Sequence, residues 1–228
     1  ELLRQRSRPY LFSNTVAPAM VAGLSDGPAR IATGEAQTGV QLELTWEGAR
    51  ALLGVPAAEL AGDSVDLTAV LGRRCTRLAE RLAEAPGWGA RFTVLDQELG
   101  ALAEAGPGLA DIRPELRRAA QLIRASGGTA RIADLAEDIG WSRRHLTELF
   151  RQETGLGPKT MARLVRFEQV CRRLRRPDRP ALAAAAADAG YVDQAHLARD
   201  FRDLAGITAT EWLAERQAPS GTDGPSPT

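Results

Sequence analysis

Few side chains in this sequence of 228 residues could carry covalent or acid–base chemistry. There are two histidines, His145 and His196, two cysteines, Cys75 and Cys171, and a single lysine, Lys159. A Schiff-base enzyme needs its lysine, and a zinc site needs Cys or His at close spacings. The cysteines lie far apart with no metal-ligand spacing and make no disulfide framework, which points to a reducing cytoplasm. The two histidines hold equivalent places in a repeated motif, so they read as packing or phosphate-contacting residues. No catalytic residue, no metal site and no cofactor is expected.

Arginine is what the chain has in abundance. Lys+Arg total 29 and Asp+Glu total 29, so the net charge is zero. That excludes a uniformly basic chromatin-like protein but not a locally basic domain. Residues 1–110 hold 10 basic and 13 acidic side chains, and residues 111–217 hold 19 and 15. Within 143–179 the count is 11 against 4. Such a segment is the electrostatic footprint of a nucleic-acid binder, and equally that of a solvated Arg-rich helix face.

The repeat decides between these readings. One copy runs Leu135-Ala136-Glu-Asp-Ile-Gly140-Trp141-Ser142-Arg-Arg-His145-Leu146-Thr-Glu-Leu-Phe150, closing at Gly155. The other runs Ala185-Ala186-Ala-Asp-Ala-Gly190-Tyr191-Val-Asp193-Gln-Ala-His196-Leu197-Ala-Arg-Asp-Phe201, closing at Gly206. In both, Ala precedes Gly by four and an aromatic follows it. In both, His-Leu precedes Phe, and Gly follows Phe by five. Between the aromatic and the His the copies differ by one residue.

Each copy has the physics of a helix-turn-helix. A small Ala lets the second helix cross the first closely, and Gly permits the positive φ of the tight turn. Ser142 and Asp193 suit the N-cap of the second helix, and Leu and Phe four apart anchor it. Its first-turn side chains then face outward, where such a helix reads base edges in the major groove. The candidate DNA contacts are Ser142, Arg143, Arg144, Thr147, Glu148 and Arg151 in the first copy. In the second they are Asp193, Gln194, Ala195, His196 and Arg199. Arginine pairs with guanine, Gln194 suits adenine, and Glu148 either accepts from cytosine or salt-bridges to Arg144. The run Arg172-Arg173-Leu174-Arg175-Arg176 reads as a phosphate-facing strip or as a solvated helix end.

The remaining elements must position these helices. Residues 1–37 carry no sustained period and read as irregular. Gln41–Trp46 alternates polar and apolar and predicts a strand. Short helices are expected over 47–54 and 65–71, and longer ones over 74–85 and 89–105, the last with Phe92, Leu95, Leu99 and Leu102 on one face. Gly106-Pro107-Gly108 reads as a domain boundary. It divides a partial regulatory region, 38–106, from a helical domain, 108–217, that should bind DNA by itself. Pro114 opens a helix with the stripe Leu116, Ala119, Ala120 and Ile123. The tail, 218–228, is small, polar and Pro-rich and is expected to be disordered. No stretch approaches a membrane span of about 18 apolar residues. The first residues lack a signal-peptide layout and an initiating Met, which reads as a fragment or processed form.

Residues 112–217 resemble the C-terminal DNA-binding domain of the AraC/XylS family of bacterial transcription regulators. The shared features are Leu135-Ala136 before a turn Gly, Ser142 with Leu146 and Phe150, Gly155 with Pro158 after it, and Gly190-Tyr191 in the second copy. The resemblance implies a mainly α fold: a seven-helix double helix-turn-helix domain preceded by a truncated α/β remnant of a sensing domain. It implies a non-enzymatic regulator in the cytoplasm. Double-stranded DNA would be its partner, with RNA polymerase and a small-molecule effector as further candidates. The alternative is a helical interaction module that has lost DNA binding. The family usually ends its second unit Gly-x-Thr-Pro. Here it is Gly206-Ile207-Thr208-Ala209, which should loosen the start of the last helix. Residues 3–25 are similar instead to a fragment of glycine C-acetyltransferase, without its cofactor lysine, and read as a fusion remnant with no activity.

Overall fold

The computed structural model describes residues 19–28, 39–106 and 109–217. Most of the irregular N-terminal segment, the bulk of the acyltransferase-like stretch, Pro107, Gly108 and the 218–228 tail lie outside the described residues.

Helices dominate. After strand β1 (Met20–Ala22) come α1 (Trp46–Leu53), a 3₁₀ turn at Ala57–Leu60, strand β2 (Ser64–Asp66), α2 (Leu67–Leu71), α3 (Arg73–Glu84) and α4 (Trp88–Ala105). Seven helices follow: α5 (Pro114–Ala125), α6 (Ile132–Asp138), α7 (Arg143–Thr154), α8 (Pro158–Leu174), α9 (Leu182–Asp188), α10 (Gln194–Asp200) and α11 (Ala209–Gln217). A π-helical turn, Phe201–Ala205, continues α10. The mainly α class and the seven-helix C-terminal part agree with the sequence reading.

The strand expected over Gln41–Trp46 does not form. Residues 39–45 are irregular. Trp46 instead begins α1, because the Thr45 side chain accepts the Gly48 N–H at 2.9 Å and caps the helix. The strands that do form pair antiparallel across the sequence, Met20 with Asp66 and Ala22 with Ser64. On α4, Leu95 and Leu102 are buried but Phe92 is exposed. Its ring lies beside Trp88 at 6.1 Å.

The core has two centres. The first gathers Ile112, Leu116, Ala119, Ala120 and Ile123 of the α5 region, Leu135 and Ala136 of α6, and Leu146 and Phe150 of α7. The second gathers Ala185, Ala186, Tyr191, Leu197, Phe201, Leu204 and Trp212. Helix α8 serves both. Met161, Ala162 and Val165 enter the first, while Phe167, Val170, Cys171 and Leu174 enter the second. Its 17 residues make a rod about 25 Å long between the two centres. The first centre also takes in Leu24, Trp46 and Ala57, so the apolar packing crosses the Gly106 break.

Candidate nucleic-acid interface

The repeat folds as two helix pairs built alike, α6–α7 and α9–α10. Both turn glycines are left-handed, Gly140 at φ 72° and Gly190 at φ 78°, where a Cβ would be strained. The aromatic after each Gly donates its N–H back to the Ala of the first helix, Trp141 to Ala136 at 2.8 Å and Tyr191 to Ala186 at 3.0 Å. The Ser142 hydroxyl accepts the His145 N–H at 3.2 Å, and the Asp193 carboxylate accepts the His196 N–H at 2.6 Å. Cap and His therefore keep one spacing. The extra residue of the second copy falls in the turn, at Val192, which is 89% exposed. Leu146, Phe150, Leu197 and Phe201 are fully buried. Each His packs edge-on against its turn aromatic, His145 on Trp141 at 4.8 Å and His196 on Tyr191 at 5.0 Å.

This geometry fixes which side chains face outward. Ser142, Arg143, Arg144, Glu148 and Arg151 are exposed on α7, as are Asp193, Gln194, Ala195 and Arg199 around α10. Thr147 and His196 are half-buried, and the Thr147 hydroxyl donates to the Arg143 carbonyl at 2.8 Å. Among the described residues no ion pair engages Arg143, Arg144, Arg151 or Arg199, and none joins Glu148 to Arg144. A guanidinium without a protein partner keeps all five donors for phosphate or guanine.

Other arginines are spent inside the molecule. Arg172 pairs with Glu168 at 3.3 Å, Arg173 with Asp188 at 3.0 Å and Arg176 with Asp178 at 3.2 Å. Arg175 lies over the Trp212 ring at 5.6 Å. The 172–176 run is thus largely engaged within the chain.

A buried polar lock joins α8 to the second pair and was not foreseen. Asp200, 2% exposed, accepts from Arg163 Nε at 2.7 Å and from the Tyr191 hydroxyl at 2.8 Å. Arg163 also pairs with Asp203, and Arg166 lies over the Tyr191 ring at 5.3 Å. Burial, with the Asp200 charge beside it, pushes the Tyr191 pKa well above the ordinary phenol range. Burial works against charge on Arg163, but hydrogen bonds and attraction from Asp200 and Asp203 outweigh it and raise its pKa. One sequence signal was present: Asp200 stands where the first copy has Leu149.

The last helix is held by a device the sequence reading overlooked. Thr208 N–H donates to Glu211 Oε2 at 2.7 Å, and Glu211 N–H donates to Thr208 Oγ1 at 3.2 Å. This capping box, Thr-x-x-Glu, secures the start that the missing proline was expected to loosen. The backbone hydrogen bond, then the Thr208 hydroxyl, hold the Glu211 carboxyl below its ordinary pKa.

Residues 135–215 match the family model described as a helix-turn-helix domain. The matched stretch is a little over a third of the chain. It spans both copies of the repeat and all of α8. No curated protein matches the chain in sequence. Two solved structures are similar to it. One is the C-terminal domain of AraT, a response regulator from Geobacillus stearothermophilus, at 22% identity and a TM-score of 0.44, covering 51% of this chain and 97% of that one. The other is ToxT from Vibrio cholerae O395, at 11% identity and a TM-score of 0.45, covering 70% of this chain and 61% of that one. Among the described residues no group of three or more His, Cys, Asp or Glu could hold a metal ion, and no helix is long and apolar enough to cross a membrane.

Proposed function

We propose that the chain is a sequence-specific DNA-binding transcription regulator of AraC type, in which α7 and α10 are recognition helices of two helix-turn-helix units. The observation that carries this reading is the pairing of two helices capped at the same position, with outward first turns, the first rich in unpaired arginine. Arg143 and Arg144 would read guanine or grip phosphate, Gln194 would read adenine, and Arg151 and Arg199 would grip phosphate. Helix α8, fixed to both cores, would set the spacing of the two units along one face of the duplex. Residues 108–217 would be the DNA-binding part and 38–106 the regulatory part. A regulator of this kind would work in the cytoplasm and act on RNA polymerase at a promoter, with a small effector acting through the front region.

The test is selection of duplexes from a random pool by the full chain, followed by fluorescence anisotropy over a salt series. The expected result is an enriched motif and an affinity that falls steeply with salt, log Kd rising by about 0.9 per neutralised phosphate for each tenfold rise in salt. A chain that enriches no motif and shows no salt-dependent retention is a helical interaction module instead.

A further inference from the structure

The two units are alike in cap, turn and anchor but are closed by different parts of the chain. In the second unit the anchor Phe201 is covered by Trp212 of the neighbouring last helix, ring centroids 5.9 Å apart. In the first unit the equivalent Phe150 is covered by Trp46, from far upstream, at 6.3 Å. Trp46 is 3% exposed and belongs to the same apolar cluster as Phe150.

The segment that brings Trp46 follows α7 down its rear. Glu47 receives two hydrogen bonds from the Arg124 guanidinium of α5, at 2.6 and 3.3 Å. Arg50 pairs with Glu153 in the last turn of α7 at 3.6 Å. The methyl of Ala61 sits against the α7 C-cap so closely that a Cβ on Gly155 would lie 2.2 Å from it. The middle, last turn and cap of the helix are therefore all touched from behind. In the second unit the cap Gly206 is approached by Pro28, but its anchor keeps the cover of Trp212. Helix α1 in turn meets the end of α4, where a Cβ on Gly106 would lie 2.1 Å from the Ala51 carbonyl oxygen.

This joint is only partly satisfied. Trp46 Nε1, Arg50 Nε and Glu153 Oε1 are buried without a hydrogen-bond partner, and the Arg50–Glu153 pair is too long for a hydrogen bond. Apolar burial holds the segment against that polar cost, a balance suited to release. A helix of 12 residues is a rigid rod about 18 Å long, so a rear tilt of about 10° moves its first turn by about 3 Å. Arg143 and Arg144 are on that turn.

We propose that residues 45–61 are a positioning brace for α7, so that seating or unseating this segment sets the DNA grip of the first unit separately from that of the second. The proposal rests on the DNA-binding reading above. The test uses the full chain and the tightest duplex that the parent selects from a random pool, with hydroxyl-radical footprinting of each half-site. Trp46→Ala removes the aromatic cover, Trp46→Phe retains it, and Arg50→Ala cuts the rear contact while leaving the apolar cover in place. Trp46→Ala and Arg50→Ala should weaken binding by roughly 2- to 30-fold, with protection lost over one half-site only, and Trp46→Phe should behave as the parent. Equal loss over both half-sites, or parental footprints from Arg50→Ala and Trp46→Ala alike, overturns the brace. A parent that protects no DNA overturns the DNA-binding reading, and the brace with it.

Discussion

Replacing Asp200 by alanine tests the lock between α8 and the second helix pair. The carboxylate is buried and serves two donors, Arg163 at 2.7 Å and the Tyr191 hydroxyl at 2.8 Å. Removing it leaves the Tyr191 hydroxyl, itself in a buried residue, without its acceptor, which costs about 1–3 kcal/mol. It also takes a buried partner from Arg163. A fully buried pair broken in this way costs about 3–5 kcal/mol, but Arg163 is 30% exposed and keeps Asp203, so it rehydrates in part. The two losses share one carboxylate and do not add, which gives about 3 kcal/mol for Asp200→Ala. Tyr191→Phe removes only a donor and leaves the Arg163 pair intact, for about 1 kcal/mol. The assay is urea unfolding of parent, both single variants and the double variant, followed by circular dichroism. A coupling of about 0.5–3 kcal/mol between the two positions is expected. A cost below about 1 kcal/mol for Asp200→Ala, or additivity within about 0.5 kcal/mol, would show that this network does not hold the second unit.

The raised Tyr191 pKa has a consequence at alkaline pH. Its stabilisation is fully present below about pH 10, the unfolded tyrosine value, and is lost as pH rises from there towards the folded value; the Tyr191→Phe chain should lose less stability over that range in alkaline melts. Thr208→Ala removes one arm of the α11 cap and should cost about 0.5–2 kcal/mol by thermal melting; an unchanged melt would mean that Trp212 packing alone fixes the helix. The depressed Glu211 pKa implies stability that is present above the ordinary carboxylate value and lost as pH falls through the folded value, a loss that Glu211→Gln should abolish in acid titrations. Arg144→Ala should lose about 1–3 kcal/mol on the best duplex and relax one or two base positions; an unchanged motif and affinity would remove Arg144 from the reading set. Phe150→Ala and Phe201→Ala should each destabilise by about 3–5 kcal/mol, and a parental melting temperature in either would place the wrong residue inside.

The repeat was legible in the sequence because everything that builds it is local. A positive φ requires Gly140 and Gly190 at the turn, a cap reaches three residues from Ser142 to His145, and anchors four apart share one helix face. Those rules give the outward faces of α7 and α10 before any packing is known; only the packing shows that Thr147 and His196, read as outward, are half-buried. The Thr208–Glu211 cap was equally local and stood in the sequence to be read. What only tertiary structure decided is which residues meet across long separations. Whether an arginine is available or spent depends on the carboxylate that folding brings beside it, and nothing near Arg163 in sequence announces Asp200. The pairing of Met20 with Asp66 is non-local for the same reason, and the alternation of Gln41–Trp46 built no strand because alternation supplies a face but no partner. Trp46 is the sharpest case: read as the end of a strand, it begins α1, and its place is the rear of Phe150, because a large apolar ring goes wherever the fold leaves apolar surface uncovered.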